Sequence, residues 1–202
     1  MFKLLKPLPR KLAVACSGGV DSMAVLDFLR RAHDVTVLHV NHGTHHAHEA
    51  QAHVSAYCAE QNLPLQVHEI TATKQPDQSW EEFWRQERYA WFKSMDMTVV
   101  TGHHLDDAVE TYLFNCMHGK HYTMPYAHAN VIRPFLTTRK TEFELWCARK
   151  QVPHVQDASN KDLRFMRNLI RHEIVPKACM VNPGLHTVVK KMVENQMQLD
   201  AG

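Results

Sequence analysis

Over the first hundred residues, short aliphatic and β-branched runs alternate with longer amphipathic stretches. Such alternation predicts a parallel sheet whose strands are joined by crossover helices. The apolar runs place strands near Leu12–Cys16, Val35–Asn41, Leu65–Ile70 and Thr98–Gly102, and the amphipathic stretches place helices near Ser22–Arg31, His46–Gln61, Ser79–Met95 and Asp106–Met117. The expected fold class is α/β, a doubly wound, Rossmann-like parallel sheet with a C-terminal helical segment. Ligands of such sheets bind beyond the carboxyl ends of the strands, so the loops after Cys16, Asn41 and Gly102 should meet at one crevice.

Further along, Val131–Phe135 reads as a short extended segment closed by Pro134, and Thr141–Lys150 as a helix. Ser79 with Glu82, and Thr141 with Glu144, fit the capping box. Trp80, Phe83, Trp84 and Trp91 recur at helical spacing and predict a buried stripe. Gly184–Leu199 sets Leu185, Val188, Val189, Met192 and Leu199 on one face, predicting a helix that packs on the domain or on a second copy, a possible homodimer. With no repeat or long Gly/Ser linker, one domain is expected over residues 1–183, followed by a terminal helix over 184–202.

Composition narrows the class. The 202 residues hold 23 Lys/Arg against 21 Asp/Glu, a net charge of +2 that excludes a strongly basic chain. The basic residues are unevenly spread: Lys161 to Lys191 carries seven against two acids, a face suited to phosphates. Five widely spaced cysteines, with no Cys-x-x-Cys, argue against a disulfide framework, a zinc ribbon or an iron–sulfur site. No apolar run approaches the ~20 residues that span a bilayer, and Met1–Lys6 lacks a signal-like core. A cytoplasmic protein without membrane contact is the expectation.

Chemistry concentrates in three places. Ser17-Gly18-Gly19-Val20-Asp21-Ser22 joins the first strand to the first helix. Glycines there let backbone N–H groups approach phosphate oxygens, and the helix N-terminus adds partial positive charge. No lysine precedes Ser22, so this is not the loop that cleaves a β–γ bond; it fits an ATP site that releases pyrophosphate. The second place is His103-His104-Leu105-Asp106-Asp107-Ala108-Val109-Glu110-Thr111 after the fourth strand. Asp106 and Glu110, four apart, should share a helix face with Asp107 turned aside. Asp21 and Asp107 are candidate ligands of Mg2+, which takes few protein oxygens beside phosphate. The third is Asp157–Asp162 followed by Arg167, Asn168 and Arg171, where arginines four apart should share a face and grip phosphate or carboxylate. His42, His45, His46 and His48 invite a metal reading, but loop histidines without a spaced partner are expected to be solvated.

Together these segments resemble the tRNA(Ile)-lysidine synthetases, members of the PP-loop ATP-pyrophosphatase superfamily. That family carries Ser-Gly-Gly-x-Asp-Ser, His-x-x-Asp-Asp-x-x-Glu-Thr, Asp-x-Ser-Asn-x-Asp and Arg-Asn-x-x-Arg before a proline. They are matched at Ser17–Ser22, His104–Thr111, Asp157–Asp162, Arg167–Arg171 and Pro176. Asn41-His42-Gly43, the set Glu81, Arg85, Arg88 and Tyr89, and Arg133-Pro134-Phe135 are similar as well. The resemblance runs from about residue 10 to 183, and since longer members carry C-terminal tRNA-gripping domains, the chain reads as a catalytic domain with a terminal helix. His118-Gly119-Lys120-His121 stands where the family has a Gly-Ser-Gly-like stretch, and Thr44-His45 where it has Leu-Arg.

The resemblance implies a two-step reaction with ATP and Mg2+ on the wobble cytidine of a tRNA(Ile) with a CAU anticodon. ATP adenylates the cytosine C2 oxygen, and the ε-amine of free L-lysine then displaces AMP. It implies catalytic roles for Asp21, Asp106, Asp107 and Glu110, and ATP binding by Ser17, Gly18, Gly19, Val20, Asp21, Ser22, His42 and His104. Glu81, Arg85, Arg88, Arg133, Asn160, Arg167, Asn168 and Arg171 are the implied substrate contacts. Which of Asp107 and Glu110 receives the lysine amine stays open. Tyr122 and Tyr126, in an irregular segment, could stack on a flipped cytosine. The alternatives are a PP-loop tRNA thiolase, which needs an active thiol, and a tRNA-binding module with reduced catalysis.

Overall fold

The computed structural model describes residues 2–155, 162 and 165–199. Its framework is one six-stranded sheet built from β1 (Lys11–Ala15), β2 (Asp34–Asn41), β3 (Leu65–Glu69), β4 (Val99–Val100), β5 (Ala127–His128) and β6 (Val131–Ile132). The strand order is β3-β2-β1-β4-β6-β5. All pairs are parallel except β5–β6. Chain order reverses at β1, which lies between β2 and β4, so the switch point that opens a ligand crevice falls at the ends of these strands. The α/β expectation and its four principal strands hold, with β4 shorter than the apolar run suggested.

The helices are α1 (Val20–Leu29), α2 (His45–Glu60), α3 (Trp80–Lys93), α4 (Leu105–Met117) and α5 (Lys140–Lys150). There follow α6 (Met166–Leu169), a π-helical turn over Ile170–Ile174, α7 (Val175–Val181) and α8 (Leu185–Leu199). Strand residues alternate between two cores, as period-two geometry demands. Leu12, Val14, Val37 and Val100 pack with Met23, Val54, Phe135 and Phe143 on one face. Ala13, Leu38, Val99 and Val131 pack with Tyr89 and Phe92 of α3 on the other. A third cluster joins Leu105, Ala108 and Val109 of α4 to Leu185, Val189 and Val193 of α8. Beneath α1, the Asp27 carboxylate accepts hydrogen bonds from Tyr57, Trp146, Arg30 and Arg31 and pins α1 to α2 and α5.

Several expectations are corrected. The hairpin strand β5 was unforeseen, because its turn uses Ala129 at φ 53° rather than a glycine. Helix α5 starts at Lys140 with Arg139 as N-cap and no side-chain cap, so Thr141 makes no capping box; the Lys140 N–H donates instead to Asp106 Oδ2 at 2.8 Å. Ser79 does cap α3, its hydroxyl accepting from the Glu82 N–H. The tryptophan stripe is only partly buried: Phe83 is inside, while Trp80 is 54% exposed. On α8 the buried positions are Leu185, Val189, Val193 and Met197, with Val188 exposed, and the first three pack against α4. Among the described residues, no helix is long and apolar enough to cross a membrane.

Candidate active site

The loop after β1 turns through Gly18 at φ +88°, a conformation that L side chains rarely adopt. A Cβ there would also stand 3.3 Å from Val155 Cγ2. Ser22 ties the loop from inside: its hydroxyl accepts from the Ser17 N–H at 3.1 Å and donates to the Gly19 carbonyl at 3.0 Å. Gly19 is the N-cap of α1 and supplies no side-chain cap. The first-turn donors and the positive end of the helix dipole therefore meet whatever occupies the cavity. That cavity, about 500 Å³, is lined by Ser17, Asp21 and Ser22 on one side and by His103, Asp107, Arg88, Arg167 and Arg171 on others. Val20 faces inward and packs against the core.

Opposite the loop, α4 begins with a capping box that the sequence did not advertise. The Asp107 N–H donates to His104 Nδ1 at 3.3 Å, and the His104 N–H donates to Asp107 Oδ2 at 3.0 Å. With Nδ1 accepting, the proton sits on Nε2, which faces Asp21 Oδ2 at 3.5 Å. Burial works against a charge on His104, but Asp107, Asp21 and Asp106 outweigh it and raise its pKa. Burial alone would raise the Asp107 pKa; His104, His103 and Arg167 overcome this and hold it well below the usual carboxylate range. The two adjacent aspartates part company here. Asp106 turns to Arg139, the α5 N-terminus and His186, so it fastens three elements outside the cavity lining. Asp107 and Glu110, not Asp106 and Glu110, share the functional face.

Glu110 is buried under two arginines. Arg171 Nε lies 2.6 Å from its Oε1 and Arg171 Nη2 3.0 Å from Oε2, while Arg167 Nε lies 3.6 Å from Oε2. Arg171 also reaches Asp107 at 3.4 Å. Arg167 and Arg171 thus do converge, but inward on carboxylates rather than outward as a basic face. Asn168 lines the same cavity and donates to the Asp162 carbonyl. Asn160, with Asp157, Ser159 and Lys161, lies outside the described residues.

A second cavity of about 930 Å³ adjoins the first, and Glu81, Arg85, Tyr89 and Arg167 line both. Arg133 holds this wall, donating to the Tyr89 hydroxyl at 2.9 Å and the Pro125 carbonyl at 2.8 Å. Arg85 lies over the Tyr89 ring, 4.8 Å from its centroid. Arg88 has no carboxylate within ion-pair distance among the described residues; it lines the smaller cavity, with its guanidinium 5.9 Å from the Tyr89 ring centroid. The larger cavity is rimmed by Phe114, Tyr122 and Met166, all partly exposed, with Glu110 below. Tyr122 therefore stands at a crevice as expected, whereas Tyr126 lines neither cavity. The histidines are not loop residues throughout: α2 begins at His45. His42 lines the smaller cavity against the Trp84 ring at 5.2 Å, and burial with Arg88 and His39 lowers its pKa to about 4. His48 meets Asn41, and His46 meets Glu49.

Residues 2–178 match the family model of the PP-loop domain. The chain belongs to the PP-loop family. Among curated proteins it is similar to a tRNA(Ile)-lysidine synthase of Lactiplantibacillus plantarum, 34% identical over 98% of this chain and 47% of that protein. It is also similar to one of Vibrio vulnificus, 34% identical over 82% of this chain and 42% of the relative. The chain spans about half the length of these relatives. Among solved structures, an NH3-dependent NAD synthetase from Campylobacter jejuni aligns with a TM-score of 0.52 at 14% identity, covering 95% of this chain and 87% of that one, which supports the fold alone.

Within this PP-loop domain the metal question has a physical answer. Among the described residues, no group of three or more His, Cys, Asp or Glu is arranged to hold an ion alone. Asp21 Oδ1, however, is buried with no hydrogen-bond partner. One orphaned carboxylate oxygen beside a phosphate cradle fits Mg2+, which shares its coordination among one or two carboxylates, water and substrate phosphate.

Two contributors, Gly102 and Trp84, escaped the sequence reading. Gly102 lies against the N-terminus of α1; a Cβ there would sit 3.3 Å from the Asp21 carbonyl. Trp84 braces His42, while His103 lines the cavity as the sequence led one to expect. A small residue at the end of the switch-point strand was the available signal for Gly102. Trp84 was hidden by its helical spacing, which looked like core.

Proposed function

We propose that this PP-loop domain adenylates the C2 oxygen of the wobble cytidine in a CAU anticodon of tRNA(Ile), then joins lysine to C2 with loss of AMP. One observation carries the reading. A phosphate-binding loop, the carboxylates Asp21 and Asp107, and Arg88, which has no carboxylate partner among the described residues, line one cavity, and a larger aromatic-rimmed cavity shares a wall with it. ATP phosphates fit the N-terminus of α1 and Arg88; an extruded base fits the larger opening beside Tyr122 and Phe114. Asp21 and Asp107 would hold Mg2+, which when bound supplies positive charge at the departing pyrophosphate. Backbone donors at Gly18 and Gly19 stabilise the same developing charge. Arg167 and Arg171 orient Glu110 and Asp107 at the boundary where nucleotide and base would meet.

The thiolase alternative needs a reactive sulfur at this place. Cys16 is the cysteine that lines the smaller cavity among the described residues, and it is 2% exposed with its thiol pushed up by burial to about 11. Such a thiol is inert near neutral pH. The decisive experiment incubates the protein with isoleucine tRNA bearing an unmodified CAU anticodon, labelled lysine and ATP. Lysine incorporation with pyrophosphate release supports the proposal; binding of the tRNA without either product favours a module that has lost turnover.

A further inference from the structure

His103 follows β4 and lines the smaller cavity together with Asp107 and Arg167. Its Nδ1 lies 2.8 Å from Thr101 Oγ1, and that hydroxyl lies 3.3 Å from the Ile132 carbonyl. A hydroxyl has one proton to give. Both contacts form together only when Thr101 donates to Ile132 and His103 Nδ1–H donates to Thr101. This tautomer leaves a bare lone pair on Nε2 at the cavity wall.

The reaction proposed above needs such a group. Lysine arrives as an ammonium and attacks only as a neutral amine, so a proton acceptor must stand where amine and adenylate meet. Glu110 and Asp107 are poor acceptors: the first is clasped by Arg171, and the second is held as a carboxylate by His104, His103 and Arg167. They suit binding the ammonium charge. Resting on the lysine-joining reading, we infer that His103 is the general base that accepts the proton from the ε-ammonium, with Thr101 as its positioning residue. The ammonium passes one proton to Nε2, the freed nitrogen pair forms the bond to cytosine C2, and the C2–O bond breaks with its pair leaving on AMP.

The surroundings tune this base. Burial lowers its pKa and Asp107 of α4 opposes that; Arg167 of α6, Arg133 after β6 and Arg88 of α3 lower it further. A bound phosphate offsets part of that arginine field and makes His103 a stronger base than in the empty cavity. Proton acceptance is thereby coupled to occupancy of the nucleotide site.

The test separates the two half-reactions in wild type, His103→Asn and Thr101→Val, with pyrophosphate release and lysine incorporation measured from neutral to alkaline pH. Asparagine keeps a donor toward Thr101 and removes the distal nitrogen. In His103→Asn, pyrophosphate release persists while lysine incorporation falls about 10²–10⁴-fold. The residual rate climbs about tenfold per pH unit as lysine deprotonates in solution. Thr101→Val shows a smaller loss with the same signature. Hydroxylamine, already neutral at neutral pH, reacts at nearly wild-type rate in His103→Asn. Unaltered lysine incorporation in His103→Asn overturns the inference, as does equal loss with lysine and hydroxylamine. A wild-type protein that releases no pyrophosphate overturns the parent reading and this one with it.

Discussion

Arg171 clasps Glu110 at two points, 2.6 Å and 3.0 Å, and with the same guanidinium reaches Asp107 at 3.4 Å. Sixty-one positions separate Arg171 from Glu110, so the fork joins the C-terminal helical segment to the helix that starts at the nucleotide cavity. The first prediction concerns this clasp. Arg171→Ala leaves Glu110, 3% exposed, with Arg167 alone at 3.6 Å. Removing one partner of a buried pair costs about 3–5 kcal/mol, and the lower end applies because Arg171 is itself a quarter exposed. Unfolding in urea should show that loss, and Arg171→Ala with Glu110→Gln should recover part of it. If Arg171 instead gripped RNA, the variant would keep its stability and lose about one unit of salt slope in tRNA binding.

Asp21→Ala and Asp107→Ala should each abolish pyrophosphate release, since one removes the orphaned oxygen facing the phosphates and the other the carboxylate opposite. A loss of at least about 10²-fold is expected for charge stabilisation of this kind. Asp106→Asn should behave differently, because Asp106 fastens α5 and α8: its melting temperature falls more than its turnover per folded molecule. Wild-type pyrophosphate release from either of the first two variants would remove it from the mechanism.

Arg88→Gln should weaken ATP binding about tenfold or more while leaving the melting temperature nearly unchanged, since its guanidinium serves no carboxylate in the described structure. Calorimetric titration with ATP and with tripolyphosphate decides it: equal losses for both place Arg88 on the phosphates. Unchanged affinity would assign it to the wall around Tyr89.

Asp27 sets the acid limit of the fold. Burial raises its pKa, but Tyr57, Arg31, Trp146 and Arg30 together lower it below the ordinary value. A folded-state pKa below the unfolded one adds stability that is complete above the unfolded pKa of about 3.9 and is lost as pH falls through the folded value. Wild type should therefore lose stability steeply below about pH 4, and Asp27→Asn, weaker at neutral pH, should show a shallower decline over that range. Parallel acid profiles for the two proteins would contradict this account.

Gly102→Ala brings a Cβ within 3.3 Å of the Asp21 backbone at the start of α1. Overpacking of this kind costs about 1–3 kcal/mol, and here the strain falls on the phosphate loop. ATP affinity should drop more than tRNA affinity in filter-binding assays.

The sheet was legible because its central strands are buried on both faces and so read as nearly continuous apolar runs, Leu12–Ala15 without a break and Val35–Val40 interrupted by Thr36 and His39 alone. The loop at Ser17–Ser22 was legible because local backbone needs dictate its glycines. What escaped depends on partners distant in the chain. Nothing near Asp106 tells that it serves the α5 N-terminus while Asp107, one residue on, serves the cavity. The orientation of Arg167 and Arg171 required Glu110, and the His103 tautomer required the Ile132 carbonyl. The β5–β6 turn escaped for a local reason, since Ala129 takes a left-handed conformation usually left to Gly or Asn.

The π-helical turn over Ile170–Ile174 holds one residue more than an α-helical path would use. In a continuous α-helix an added residue swings everything beyond it by about 100°. Widening a single turn confines the surplus, so the helix faces before and after keep their headings. Ile170–Ile174 is therefore the place in this segment where one residue could be removed and the chain run on as plain α-helix, with Met166–Leu169 and Val175–Val181 still aimed as they are.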